Sequence, residues 1–121
     1  AKMPKIFNVN WFRRDENGDF IWPGFGQNMR VLEWMIDRFE GRVDATETPI
    51  GFVPSYDQLN WTGTDFTAEQ FAQVTSQSTE QWNKELDSHA ELFAKIGSHI
   101  PAALIKRREE LVKSVNAEKV A

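Results

Sequence analysis

Phe12, Phe20 and Phe25 crowd one short stretch together with Trp11 and Trp22, and Asn28 follows directly after them. Flat aromatic faces stack on planar bases whatever the base identity, each stack contributing ~1–3 kcal/mol. An asparagine amide carries a donor and an acceptor side by side. Asn28 can therefore pair with the O6 acceptor and the N1–H donor of guanine, positions where adenine has the opposite polarity. The chemistry on offer is recognition of a purine, with no bond-making group among these residues. Each residue also has a plainer use: aromatics beside a hairpin commonly form its hydrophobic cluster, and an asparagine at a helix start commonly caps it.

Little else in the chain competes for a chemical role. It has no cysteine, which removes thiol nucleophiles, disulfides and thiolate metal sites and points to a reducing compartment, the cytoplasm. His89 and His99, the two histidines, have no adjacent partner motif and read as helix-face or loop residues. Neither H-x-x-x-H nor EF-hand spacing occurs, so no metal ligand and no catalytic residue is assigned. G-x-x-x-x-G-K-S/T is absent as well. Gly24-Phe25-Gly26 falls short of a dinucleotide fingerprint because Met29 stands where the third glycine belongs. A net charge of -4 and a pI near 5.2 give no basic footprint for nucleic acid. No apolar run approaches the ~18 residues of a membrane span, so neither nucleic acid nor membrane is an expected partner. Asn60-Trp61-Thr62 has the form of a glycosylation acceptor, read as a chance match in a chain without a secretion signal.

The elements that must position the aromatic stretch are legible from pattern. Lys5 to Phe12 alternates apolar and polar residues, which predicts a strand with one buried face. The charged run Arg13–Gly18, ending in Asn17-Gly18, predicts a tight turn, and Phe20-Ile21-Trp22 returns as the second arm of a hairpin. Pro23-Gly24-Phe25-Gly26 then leads into a helix from Asn28 to about Glu40, with Asn28 as its cap and Gly41 as its closing glycine. Thr48 to Pro54, fenced by two prolines, suits a short edge strand, and Ser55 to Gly63 a loop.

The remainder reads as helical. Thr67-Ala68-Glu69-Gln70 is a capping box. From Ser78 to Ile96, Trp82, Leu86, His89, Leu92, Phe93 and Ile96 share one face, and Gly97 ends the helix. Pro101 suits a first turn, and Leu104, Ile105, Leu111, Val112 and Val115 stripe a last helix, completing an αα-hairpin. Ala1 to Pro4 reads as a cut or linker, and Asn116 to Ala121 is expected to fray. With 121 residues, 40% of them apolar, the chain is expected to form one domain or part of one. The fold class is α+β: a small antiparallel hairpin layer followed by helices.

The residues also carry a resemblance. Lys5-Ile6-Phe7-Asn8-Val9-Asn10-Trp11-Phe12-Arg13, the run from Phe20 to Met35 with its WPGFG-x-N-x-R-VLEW string, and Thr48-Pro49-Ile50-Gly51 closely resemble the C-terminal region of GTP-dependent phosphoenolpyruvate carboxykinase. The likeness is dense from Lys5 to Pro54 and looser through the helices from Thr67 to Asn116. The resemblance implies an enzyme of gluconeogenesis that converts oxaloacetate and GTP to phosphoenolpyruvate, GDP and carbon dioxide with manganese. Phe12 and Phe25 match the family's base-sandwiching phenylalanines, Phe20 its third pocket aromatic and Asn28 the asparagine at the purine edge. Asn8, Gln27 and Met29 depart from the His, Glu and Ser the family often has. The resemblance further implies that the P-loop, the manganese ligands, the oxaloacetate-binding arginines and the lid precede this segment. The chain is then a C-terminal fragment, inactive alone, whose partners are guanine nucleotide and the missing N-terminal part. An alternative of another class is a structural module that associates with itself through the apolar stripes of its helical hairpin.

Overall fold

Helix α1, Asn28–Glu40, forms where Val31, Trp34 and Met35 fall on one face, and it stops at Gly41, whose φ of 75° turns the chain so that the Arg42 amide donates back to the Asp37 carbonyl at 2.8 Å. The computed structural model describes residues 3–117. After α1 come strands β1, Thr46–Thr48, and β2, Gly51–Val53, paired as a two-stranded antiparallel sheet around Pro49-Ile50. Helices α2, Ala68–Thr75, α3, Thr79–Ile96, and α4, Ala102–Ala117, complete the chain. The class is α+β, as the pattern predicts, but the sheet sits at Thr46–Val53 and not in the aromatic stretch.

Lys5 to Phe12 has no regular secondary structure and is not a strand. A strand exists by its ladder, and no second strand lies beside this segment among the described residues. The expected hairpin survives as a single antiparallel bridge, Arg14 to Phe20, with the Ile21 amide donating to the Arg13 carbonyl at 3.0 Å. Its turn is held less by Asn17 than by Asp15, whose carboxylate accepts from the amides of Asn17 and Asp19 at 2.9 and 3.0 Å. Gly18, at φ 86°, supplies the left-handed residue. The Ser55–Gly63 stretch, expected as loop, contains a 3₁₀ turn at Tyr56–Gln58.

The chain divides into two compact units. The first comprises the chain up to Glu47 together with Phe52–Ser76. Its core is Trp22, Trp34, Leu59, Phe66 and Phe71, with Trp11, Tyr56 and Trp61 packed against it. Aromatic edges and faces meet throughout it: Tyr56 stacks on Trp61 with centroids 5.1 Å apart, and Trp22 meets Phe66 edge-on at 5.8 Å. The polar tips are satisfied, since Trp61 donates to the Tyr56 carbonyl at 2.7 Å and Tyr56 to the Phe66 carbonyl at 2.8 Å. The Thr67 box is formed in both directions, Thr67 amide to Gln70 Oε1 at 2.8 Å and Gln70 amide to Thr67 Oγ1 at 3.2 Å.

The second unit comprises Thr48–Gly51 and the chain from Gln77 onward, and α3 and α4 pack in it as the expected αα-hairpin. Ser78 caps α3 through the Gln81 amide at 3.3 Å. Pro101 stands just before α4, its carbonyl accepting from the Leu104 amide at 2.9 Å. Of the two apolar stripes only Leu86 and Val115 are buried, whereas Leu92, Ile96, Leu104 and Ile105 remain exposed. Asn116, placed in the expected frayed end, is helical and exchanges side-chain amide hydrogen bonds with Asn83, both at 3.1 Å. Residues 1, 2 and 118–121, the outer parts of the expected linker and frayed end, lie outside the described residues.

Candidate functional site

In the first unit a cavity of about 240 Å³ opens beside the start of α1. Phe12, Phe20 and Phe25 line it from three different local structures: the irregular N-terminal segment, the hairpin return and a 3₁₀ turn at Phe25–Gln27. Trp11, Trp22, Gly24 and Asn28 form the rest of its wall. Gly24, at φ 117° and ψ 176°, sits in a conformation that favours glycine and aims the chain into the 3₁₀ turn that presents Phe25. Thus the three phenylalanines and the asparagine singled out from sequence share one cavity.

Burial separates aromatics that look alike in sequence. Trp22 is 7% exposed and belongs to the core, whereas Phe12, Phe20 and Phe25 are 70%, 52% and 90% exposed. Phe12 and Phe20 touch edge to face at 6.0 Å, and the Arg14 guanidinium lies over the Phe20 ring at 4.0 Å. Arg14 also donates to the Gly18 carbonyl, so it clamps the turn on which Phe20 is held. No titratable side chain lines the cavity, and its walls offer aromatic faces and one amide. Such a wall can bind a flat, mostly apolar ring with polar atoms on one edge. At about 240 Å³ it is smaller than the ~300–1,000 Å³ of sites that enclose a whole ligand, a size for one part of a larger molecule.

Asn28 is not the helix cap. Gln27 holds that position, its side chain accepting from no backbone amide of the helix, and Asn28 is the first residue of α1. Its Oδ1 instead accepts the Trp22 indole N–H at 2.8 Å. The helix start is anchored by a residue that pattern reading passed over: Arg30 donates to Gln27 Oε1 at 2.6 Å and to the carbonyls of Asn60 and Thr62. Arg13 does the same for the hairpin, reaching the Val74 carbonyl at 3.1 Å and Ser76 Oγ at 2.9 Å. Their carbonyl acceptors lie some thirty residues away for Arg30 and sixty for Arg13, beyond the reach of a local pattern.

Among the described residues no group of three His, Cys, Asp or Glu side chains could hold a metal ion. No helix there is long and apolar enough to cross a membrane. Two carboxyls are held below their ordinary range: Asp57, through the Ser55 hydroxyl and its own amide, and Glu69, through its own amide and the Thr67 hydroxyl. Neither lines the cavity.

A family model described as the phosphoenolpyruvate carboxykinase C-terminal P-loop domain matches residues 1–114. Similar proteins include the phosphoenolpyruvate carboxykinase (GTP) of Arthrobacter sp. (strain FB24), 52% identical over 103 residues that make up 85% of this chain and 17% of that protein. The protein of the same name from Anaeromyxobacter dehalogenans (strain 2CP-C) is 46% identical over 114 residues, 94% of this chain and 19% of its own length. That of Corynebacterium efficiens is 44% identical over 116 residues, covering 96% and 19% respectively. The chain therefore spans less than a fifth of the length of these curated relatives. The P-loop in the family's description has no counterpart in this sequence, which contains no G-x-x-x-x-G-K-S/T.

Proposed function

The chain belongs to the GTP-dependent phosphoenolpyruvate carboxykinase family, and from that premise we propose that it supplies the guanine-binding part of an enzyme converting oxaloacetate and GTP to phosphoenolpyruvate, GDP and carbon dioxide. Phe12 and Phe25 take the two faces of the base, Phe20 closes the apolar wall and Asn28 reads the purine edge. The observation that carries this reading is exposure. Phenylalanines of a simple hydrophobic cluster would be buried, yet Phe25 is 90% and Phe12 70% exposed around a cavity that ends in an amide.

In this reading the segment contributes position rather than reaction. Stacking and edge pairing select GTP and hold its far end, the γ-phosphate, in line for transfer groups supplied by the rest of the protein. Manganese, when bound there, neutralises charge on the phosphates; its ligands, the P-loop and the oxaloacetate site are assigned to the remaining four-fifths of the protein, and this segment alone is expected not to turn over.

Calorimetric titration of the full-length protein with GDP and with ADP tests the proposal. GDP is expected to bind more tightly by a factor equivalent to ~1–3 kcal/mol, and Asn28→Ala to remove most of that preference. Equal affinities for the two nucleotides in the unsubstituted protein would overturn the guanine assignment.

A further inference from the structure

An asparagine amide by itself does not choose between guanine and adenine. Turning it over exchanges its oxygen and its NH2, and the turned amide suits the reversed donor and acceptor pattern of adenine. Selectivity therefore requires a neighbour that fixes which atom points where.

In this chain that neighbour is Trp22. Its indole Nε1–H donates to Asn28 Oδ1 at 2.8 Å. An indole nitrogen is a donor only, so the amide atom facing it must be the oxygen. Trp22 is itself fixed, buried at 7% exposure and packed against Trp11, Trp61 and Phe66 with centroids 5.4, 6.3 and 5.8 Å away. Reversing the amide would set NH2 against N–H and leave a buried donor unpaired, lowering the population of the reversed form by roughly 5- to 150-fold. With Oδ1 anchored, Nδ2 has no partner among the described residues, and Oδ1 keeps a second lone pair.

We propose that Trp22 is a positioning residue for base selection, locking the Asn28 amide so that the cavity accepts a 6-oxo purine and refuses a 6-amino purine. The free Nδ2–H groups meet the O6 acceptor, and the second lone pair of Oδ1 meets N1–H. A 6-amino purine brings a donor against those donors. The inference rests on the guanine reading above and adds the residue that sets its sign.

The test replaces the Trp22 indole, in the full-length protein, by a benzothiophene side chain, which keeps the bicyclic shape and carries sulfur in place of N–H. GDP and ADP affinities are measured for both proteins. The ratio favouring GDP is expected to fall about fivefold or more, chiefly through tighter ADP binding. An unchanged ratio in the substituted protein, beside a clear GDP preference in the unsubstituted one, overturns the role of Trp22 and leaves the guanine reading standing. Absence of any GDP preference in the unsubstituted protein overturns both. A role in packing alone would weaken both nucleotides equally and leave the ratio unmoved, which also overturns the proposal. In the unsubstituted protein the Trp22 indole proton is expected to exchange slowly with solvent and to lose that protection in Asn28→Ala. Protection that survives Asn28→Ala is a result against the lock and needs no folded Trp22 variant.

Discussion

The two units of this chain bury themselves in different ways. The first gathers Trp22, Trp34, Leu59, Phe66 and Phe71 into one cluster and pairs its indole and phenol tips internally, while the second buries Leu86 and Val115 between two helices and relies on caps and the Asn83–Asn116 amide pair. The difference has a physical basis. A cavity that must hold exposed phenylalanine rings in register needs rigid supports on several sides, and interlocking aromatics provide large contact area with few rotatable bonds. A helical hairpin needs only one apolar seam, and its ends are held by local hydrogen bonds.

If the first unit is the more tightly interlocked, truncating its centre has the largest effect. Trp34→Ala removes an indole that is 4% exposed and bonded to Gln58 Oε1 at 3.3 Å, and is expected to cost about 3–5 kcal/mol in thermal or urea unfolding. Leu86→Ala is expected to cost about 2–4 kcal/mol, its loss read as faster amide exchange in α3 and α4. Exchange rates that rise equally in both units after either substitution would remove the contrast between them.

Phe25→Ala separates binding from support. With its ring 90% exposed, the substitution is expected to leave the melting temperature within error. It is expected to weaken GDP binding by about 1–3 kcal/mol in a calorimetric titration. A Phe25→Ala protein that melts early but binds normally would return this ring to the core.

The smallest effect is electrostatic. The Asp57 and Glu69 carboxyls are held below their ordinary range by the hydroxyls and amides of the Ser55 and Thr67 turns. A lowered folded-state value means that the stabilisation is complete above the unfolded carboxylate range, about pH 4, and is lost as pH falls through the folded values. Ser55→Ala and Thr67→Ala are therefore expected to flatten the acid limb of a stability profile while changing little of its pH dependence near neutrality.

Helices were readable from pattern because their signals are local. Gly41, the Thr67–Gln70 box, Ser78 and Gly97 each act through partners within a few residues. The strand expected at Lys5–Phe12 failed for the complementary reason, since alternation describes a face but cannot supply the neighbouring backbone. For the site, the residue types and their closeness in the chain were enough to group Phe12, Phe20, Phe25 and Asn28, which do line one cavity. Arg13 and Arg30 were invisible because acceptors come from distant parts of the chain, the end of α2 for Arg13 and the Asn60–Thr62 segment for Arg30.

What the sequence determined alone is thus the set of side chains available to the site: a run of aromatic rings, one amide and the helix ends. Tertiary structure decided which aromatics serve it. Trp22 and Phe25 stand three residues apart in the same apolar run, yet one is buried among Trp11, Trp61 and Phe66 and the other stands in solvent. It also decided the orientation of Asn28, because an amide has two equivalent-sized ends and only the buried indole N–H facing it distinguishes oxygen from nitrogen.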